Sequence, residues 1–477
     1  MRRFKQSRLQ VDRVSNLPDR VIHSILSRLE STEEAVRTSV LSTRWRYMWT
    51  SIPSIDIDCS RQLLKPGKKF KKNKFKMFVY WVLLNKTLDL DSFRLCCSNY
   101  YNMSTLKRWI HAASIRKVKK LHLSFFPIPG EDDEAFELPH SLVTCASLEV
   151  LSLFLFRQPL VLPYSTKFRG LRVLELNSVE FYDEECVEAF LVMCPSLEDL
   201  SFIDCVIKLL FVLYISSSKL KSLRIDNRKM MDHEEVLVDG TVSKKKYDNE
   251  GFCNGLEISC PALVSFEYGG DIAENFDFKN LDSLRKAVIH PNPIKMRTYL
   301  GDIVAKLFVQ ASHLESLSIN RDFVECEEYK MELDECFSAS LPNLKTLELT
   351  TTINDCNMNV LIHILKCSPN LESLNLIIQE GILRKNPGYW EFDEAKRTRI
   401  LTRHLKRVEF LEFNGEKEKL DVARILLEQG NALGEMVFSW RNKVKYREKS
   451  AETMNMVSKF IKASSFVKLI TLLKDSR

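Results

Sequence analysis

Residue types that could do chemistry are plentiful in this chain, but their spacing does not bring them together. Its thirteen cysteines include no Cys-x-x-Cys pair, the spacing that zinc ribbons and dithiol redox sites require. None has a histidine partner that the sequence marks as an activating base. Phosphate chemistry would need a Gly-rich loop, zinc hydrolysis a His-Glu-x-x-His helix, and serine hydrolysis a Gly-x-Ser-x-Gly elbow; none of the three occurs. His233-Glu234-Glu235 sets an imidazole beside two carboxylates, yet one histidine among acids in a polar stretch reads as solvated loop. No catalytic residue, metal site or cofactor is therefore expected.

Charge narrows the partners. The 477 residues suffice for two to four domains or one long repeat array. At 45% hydrophobic and 28% charged, the composition is that of an ordinary globular chain. The net charge of +7 is concentrated in one place. Arg61 to Lys76 holds eight basic residues and no acid, which leaves the remainder near −1. An extended nucleic-acid face is not expected on that distribution. The run itself is open to three readings: a solvated linker, a nuclear-import signal or an anion-binding patch. The nucleus and the cytosol both stay open as locations. The longest apolar run, Leu209 to Ile215, falls far short of the roughly 18 residues that span a bilayer, so no membrane partner is expected. The start, MRRFKQSRLQ, lacks the apolar stretch of a secretory signal. The cysteines then read as reduced, mostly buried thiols.

The elements that could position a partner begin at Val14 to Trp49. Pro18 and Asp19 suit the first turn of a helix. Val21, Ile22, Ile25, Leu26 and Leu29 follow at helical spacing. Ser31 with Glu34 forms a capping box for a second helix carrying Ala35, Val36 and Val40. Ser42 or Thr43 can cap a third short helix in which Trp45, Met48 and Trp49 share a face, and Pro53 stops it. Three small helices this apolar are expected to leave a face uncovered. By pattern alone they are a helical cap for the next domain or a docking module.

Beyond a basic link and an apolar helix over Phe75 to Leu84, a repeat takes over. Its unit is Leu-x-x-Leu-x-Leu or a close variant. It runs from Leu90-x-x-Phe93-x-Leu95 and Val118-x-x-Leu121-x-Leu123 to Leu344-x-x-Leu347-x-Leu349 and Leu371-x-x-Leu374-x-Leu376, with a last copy at Val408-x-x-Leu411-x-Phe413. Middle positions mostly recur every 21 to 30 residues, the period of leucine-rich repeats, in which each unit is a strand and a return arm. Asp183 to Met193 and Met358 to Lys366 read as return-arm helices. No unit can bury its own apolar face, so the units must stack into a curved solenoid. The 43 residues from Leu223 to Phe266 hold an insertion and one further strand at Leu256-x-Ile258-x-Cys260. Strand alternation sends Glu175, Asn177, Ser201, Ile203, Arg224, Asp226, Ser318, Asn320, Glu348, Thr350, Asn375 and Ile377 outward. That mixed face suits a protein or peptide partner, and Arg224, Glu348 and Asn375 are the candidate substrate-binding residues. From Gly388 the pattern changes to a strand ending at Phe413, a helix over Glu416 to Gln429, a strand over Glu435 to Trp440 and a closing helix over Ala451 to Ala463.

Leu17-Pro18-Asp19, Ile25-Leu26-Ser27 and the long run Val36-Arg37-Thr38-Ser39-Val40-Leu41-Ser42-Thr43-Arg44-Trp45-Arg46 closely resemble the F-box. The chain as a whole resembles the plant F-box/leucine-rich-repeat/FBD proteins, although the Pro-x-Cys usual before His404-Leu405-Lys406 is replaced by Thr398-Arg399-Ile400. The fold class implied is α/β: an F-box over 11–57, a basic linker and helix over 58–85, repeats over 86–387 and an FBD-like C-terminal domain over 388–477. The resemblance implies docking on a Skp-type adaptor, and through it a cullin–RING complex. Leu17, Pro18, Ile25, Leu26, Val40 and Trp45 are the expected adaptor-binding residues. It further implies a non-enzymatic receptor that presents an unidentified protein substrate for ubiquitylation. A repeat scaffold with no ubiquitylation role is the competing expectation.

Overall fold

The computed structural model describes residues 14, 16–59, 61, 71–98, 102–126, 135–163, 167–209, 212–228, 235–236, 242–243, 255–270, 275–291, 306–320, 341–353, 355–379, 404–441 and 446–473. They form two compact units, one of residues 1–197 and 233–246, the other of 198–232 and 247–477.

In the first unit the helix Asp19–Leu26 buries Ile22 and Leu26, one turn apart. Ser31 then caps Thr32–Arg37 by accepting the Glu34 N–H at 3.3 Å, as its capping box requires. The third segment, Trp45–Ser51, is a 3-10 helix with Trp45 and Trp49 buried, and the Ser42 hydroxyl accepts the Trp45 N–H at 3.4 Å. Trp49 packs on Trp81 of the helix Lys72–Asn85, ring centroids 4.8 Å apart.

A parallel ladder starts immediately afterwards. Ser54–Asp58 pairs with Ser92–Ser98, then come Lys120–Phe126, Val150–Val161 and Val173–Asp183. The register stacks like on like: Ile55 beside Phe93, then Leu121, Leu151 and Leu174. All are buried, each contributing on the order of 1.5–3 kcal/mol by leaving water. Ser54–Asp58 is thus the first rung, with Ile52-x-x-Ile55-x-Ile57 as an isoleucine variant of the repeat unit that sequence reading passed over.

The second unit repeats the scheme. Its ladder runs Asp199–Ile203, Ser222–Asp226, Ser265–Gly270, Lys286–Pro291, Ser316–Asn320, Thr346–Thr352, Ser373–Gln379, Arg407–Phe413, Glu435–Trp440 and Lys468–Leu473, all parallel. Gly255–Ser259 is a strand, as its alternation suggested. It pairs outside this ladder, between Leu213–Ser216 and Asn275–Lys279, in a second parallel sheet.

One register differs from expectation. Leu374 and Leu376 stand beside Val408 and Phe410, so the repeat is Leu405-x-x-Val408-x-Phe410 and not Val408-x-x-Leu411-x-Phe413. A bulge between Phe410 and Phe413 turns Phe413 back into the core, which is why both phases fit the sequence. The helix Lys417–Gln429 and the strand Glu435–Trp440 lie where the pattern put them; the final strand Lys468–Leu473 had no sequence signal that we read.

Candidate functional site

Two surfaces could meet partners, one in each unit. Pro18, at the cap of the helix Asp19–Leu26, forms with Val21 and Ile25 a second apolar stripe beside that of Ile22 and Leu26, about a quarter turn round the helix. Ile25 is 39% exposed and Pro18 is exposed, with Leu17 half-buried. Val40, at the end of the 3-10 turn Thr38–Val40, is 88% exposed, and Leu41 and Tyr47 are exposed as well. Leu26 and Trp45 do not belong to this surface. Each is 2% exposed, because Leu26 shares the inward face with Ile22 and the Trp45 indole N–H donates to the Val14 carbonyl at 3.2 Å. They hold the face from behind. Arg44 pairs with Asp19 across its rim, and Ser51 Oγ meets His23 Nε2 at 2.9 Å.

This segment is fixed to the ladder by Lys86. The side chain is buried, and its ammonium donates to the carbonyls of Trp49 (3.1 Å), Ile52 (2.7 Å) and Ser54 (3.3 Å). Burial, and then the nearby Arg116, pull its pKa down to about 7. Arg116 in turn donates to the Lys86 carbonyl.

The second surface is the outward row of the second unit. Strand register places Ser201, Arg224, Glu267, Val288, Ser318, Glu348, Asn375 and Glu409 side by side in that order. Arg224, Glu348 and Asn375 therefore share one row, but not one pocket. At about 4.8 Å per strand, Arg224 and Glu348 are about 19 Å apart, while Glu348 and Asn375 are neighbours. Asp226 and Thr350, expected to face outward, are buried; the side chain of Asn320 lies outside the described residues.

Asp226 is buried because two arginines cover it. Arg228 grips its carboxylate with two hydrogen bonds of 2.8 and 2.7 Å, and Arg224 adds one of 2.8 Å. These bonds, the Arg228 one first, hold the Asp226 carboxyl well below the usual carboxylate range. Two features make room for the grip. Asn227 clamps the strand end, accepting the Cys205 N–H at 3.1 Å, donating to the Cys205 carbonyl at 3.0 Å, and sending its own N–H to the Gly269 carbonyl at 2.8 Å. Gly269 has no side chain, and a Cβ there would stand 2.8 Å from Arg228 Nε and 3.0 Å from Asp226 Oδ1.

Arg228 thereby reaches across the strand of Gly269 to the one beyond it. Its guanidinium lies 2.7 Å from His290 Nδ1, and His290 Nε2 lies 3.3 Å from Ser318 Oγ. A guanidinium can only donate, so Nδ1 accepts and the neutral ring carries its proton on Nε2. That N–H donates to Ser318, whose hydroxyl donates to Glu348 Oε1 at 3.1 Å. Burial, then the Arg228 charge, lower the His290 pKa and keep the ring neutral. The chain of contacts runs Asp226, Arg228, His290, Ser318, Glu348. Sequence reading placed Asp226, Ser318 and Glu348 on the outward face but missed Arg228, which lies beyond the strand, and His290. The pair Gly269-Gly270 closing the strand Ser265–Gly270 was the signal for both.

Among the described residues no group of histidine, cysteine and carboxylate side chains could hold a metal; His233 and Glu234 lie outside them. Of the described cysteines, burial pushes the thiol of Cys194 up to about 12 and that of Cys260 up to about 11, which keeps both as inert thiols. No helix of the described residues is long and apolar enough to cross a membrane. Residues 62–70 of the basic run lie outside the described set, and Lys72–Lys76 open the helix Lys72–Asn85.

Three family models match this chain. The F-box domain matches residues 14–56. The LRR repeats of the FBD-associated F-box protein At5g56370 match 106–242, and the LRR domain of At1g61320/AtMIF1 matches 252–470. An Arabidopsis thaliana putative FBD-associated F-box protein, At5g56560, is 26% identical over 94% of this chain and 97% of its own length. The F-box/FBD/LRR-repeat protein At2g04230 of the same plant is 30% identical over 73% of this chain and 76% of its own. A third Arabidopsis protein of that description, At1g78750, is 29% identical over 72% and 78%.

Proposed function

The chain belongs to the plant F-box/FBD/LRR-repeat family, and we propose that it is the substrate-recognition subunit of a Skp–cullin–F-box ubiquitin ligase. An F-box joined to leucine-rich repeats gives it a recognition role. The observation that carries the finer reading is the doubly apolar helix Asp19–Leu26. One stripe, Ile22 and Leu26, is spent on the core, while Pro18, Val21 and Ile25 stay exposed at i, i+3 and i+7. That spacing suits a helix entering an apolar groove, as a Skp-type adaptor would offer. The cullin–RING complex then follows through the adaptor. The outward row of the second unit, with Arg224, Glu348 and Asn375, takes the protein target. The chain supplies no chemistry of its own in this scheme. It works by proximity, holding a target lysine near a charged conjugating enzyme. Nucleus and cytosol are both compatible locations, and exchanging Lys68, Lys69, Lys71, Lys72 and Lys74 for Gln separates them by whether a fluorescent fusion leaves the nucleus.

The test is co-purification with a Skp-type adaptor. Leu17→Ala combined with Pro18→Ala removes two apolar groups from the exposed end of the helix and should abolish recovery, while circular dichroism shows the repeats still folded. Undiminished recovery of adaptor by the double variant would refute the ligase reading and favour a scaffold without a ubiquitylation role.

A further inference from the structure

The row across the second unit leaves one carboxylate short of a cation. Asp226 is covered by Arg224 and Arg228, and Glu267 lies 3.4 Å from Arg224 Nε. Glu409 takes Arg407 at 2.9 Å and the Ser439 hydroxyl at 2.6 Å. Among the described residues Glu348 receives one hydrogen bond, from Ser318, and no lysine or arginine pairs with it. A carboxylate offers about four acceptor positions, so most of its capacity stays unfilled on a half-buried side chain. It is also held in place. The Ser318 hydroxyl accepts from His290 and has its proton left for Glu348 alone, and His290 is held by Arg228.

The neighbours in register complete the shape. Asn375 stands directly beside Glu348 in register, and its side-chain amide has a carbonyl oxygen that can accept. Ser318 and then half-buried Val288 lie on the other side of Glu348. We propose that Glu348 and Asn375 form the socket for a lysine or arginine side chain of the bound protein, whose methylenes lie across Val288. The chemistry matches group by group. A long basic side chain lays an apolar stem on an apolar neighbour and keeps its charged head at the polar end. The head carries several donors and no acceptor, facing a carboxylate and an amide oxygen. A pre-oriented acceptor loses little freedom on binding, so the pairing favours association and selects against an acidic residue at the same place. Ser318 and His290 are positioning residues here, acting through the carboxylate. The inference rests on the reading that this strand face takes the target, and it adds what the target must carry.

A random peptide library selected against the full-length chain tests it. Bound peptides should share one basic position. Glu348→Gln, which keeps shape and removes charge, should weaken the selected peptides by about tenfold or more. Reselection against Glu348→Lys should replace the basic position with an acidic one, and Ser318→Ala should relax the preference without reversing it. Circular dichroism melts confirm that each variant folds. A library that yields no binder, peptides with no shared basic position, or affinities that Glu348→Gln leaves unchanged overturn the socket. In the last two cases Arg224→Ala separates the two readings. If it releases the peptides, the face still takes a protein partner and only the socket falls; if it does not, both fall.

Discussion

In the first unit the outward row reads Asp56, Arg94, His122, Ser152, Glu175. In the second, an aspartate, an arginine, His290, Ser318 and Glu348 follow in the same chemical order, and there they are joined contact to contact. In the first, among the described residues, the contacts stop at the arginine. Arg94 lies within its strand and spends its guanidinium on Asp56 (3.0 Å) and Asp58 (3.5 Å). Among the described residues the His122 ring makes no hydrogen bond. Arg228 instead lies past the end of its strand, and Gly269 leaves the space through which it reaches sideways. Residue types therefore do not decide whether a row becomes a network. The backbone just beyond the strand does.

Breaking the comparison at its strongest point means removing the charge under Arg228. Asp226→Asn leaves two guanidiniums without their carboxylate and should cost about 2–3 kcal/mol in urea unfolding. Asp56→Asn, in the more exposed pairs of the first unit, should cost at most about 1 kcal/mol. Equal losses would mean the two rows are equivalent after all. The Asp226 contribution also has a pH signature. Its native pKa lies below the unfolded value, so the stabilisation is full above that value and is lost as pH falls through it towards the native one.

A smaller effect sharpens the role of the glycine. Gly269→Ala must displace Arg228 or Asp226 and should cost about 1–2 kcal/mol. Ser124→Ala, at a half-buried strand position of the first unit, should stay within about 0.5 kcal/mol. An alanine accepted at 269 without loss would remove the proposed reason for the difference.

The least effect should come from the histidines, His122 in the row of the first unit and His290 in the network of the second. Burial lowers the pKa of both. At His290 the Arg228 charge adds to it, against Glu267, Glu348 and Asp226, which pull the other way. At His122 Glu175 opposes it, and Arg94 reinforces it. As pH drops below the unfolded histidine value of about 6.5, the unfolded chain takes up protons that the native rings resist, so stability declines. Urea midpoints between about pH 7.5 and 5.5 should show that decline, and it should flatten in His290→Asn. An unaltered slope in that variant would place the effect elsewhere.

Much of this was legible in the sequence, for definite reasons. Leu121, Leu151 and Leu174 announce their strands because an apolar residue at every second position can face only one way in a ladder. Ser31 and Glu34 announce a helix start because the cap is local. Legibility failed where two phases fit or where a side chain leaves its strand. Val408, Phe410, Leu411 and Phe413 satisfy two registers, and only the bulge chooses. Leu26 and Trp45 looked like partner-binding residues because an apolar type does not say which side of a short helix is spent on the core. Arg228 belongs to no strand, so alternation could not place its guanidinium.

The buried lysine at position 86 has a practical consequence for anyone cutting this chain. Pattern alone puts the seam after the short helices, near residue 57. Yet the carbonyls of Trp49, Ile52 and Ser54 are served by one ammonium from residue 86, and the residue 86 carbonyl is served in turn by Arg116. A graft made at 57 would carry three acceptors into a new host and leave their donor behind. The smallest transplantable piece that keeps these contacts together extends past Arg116.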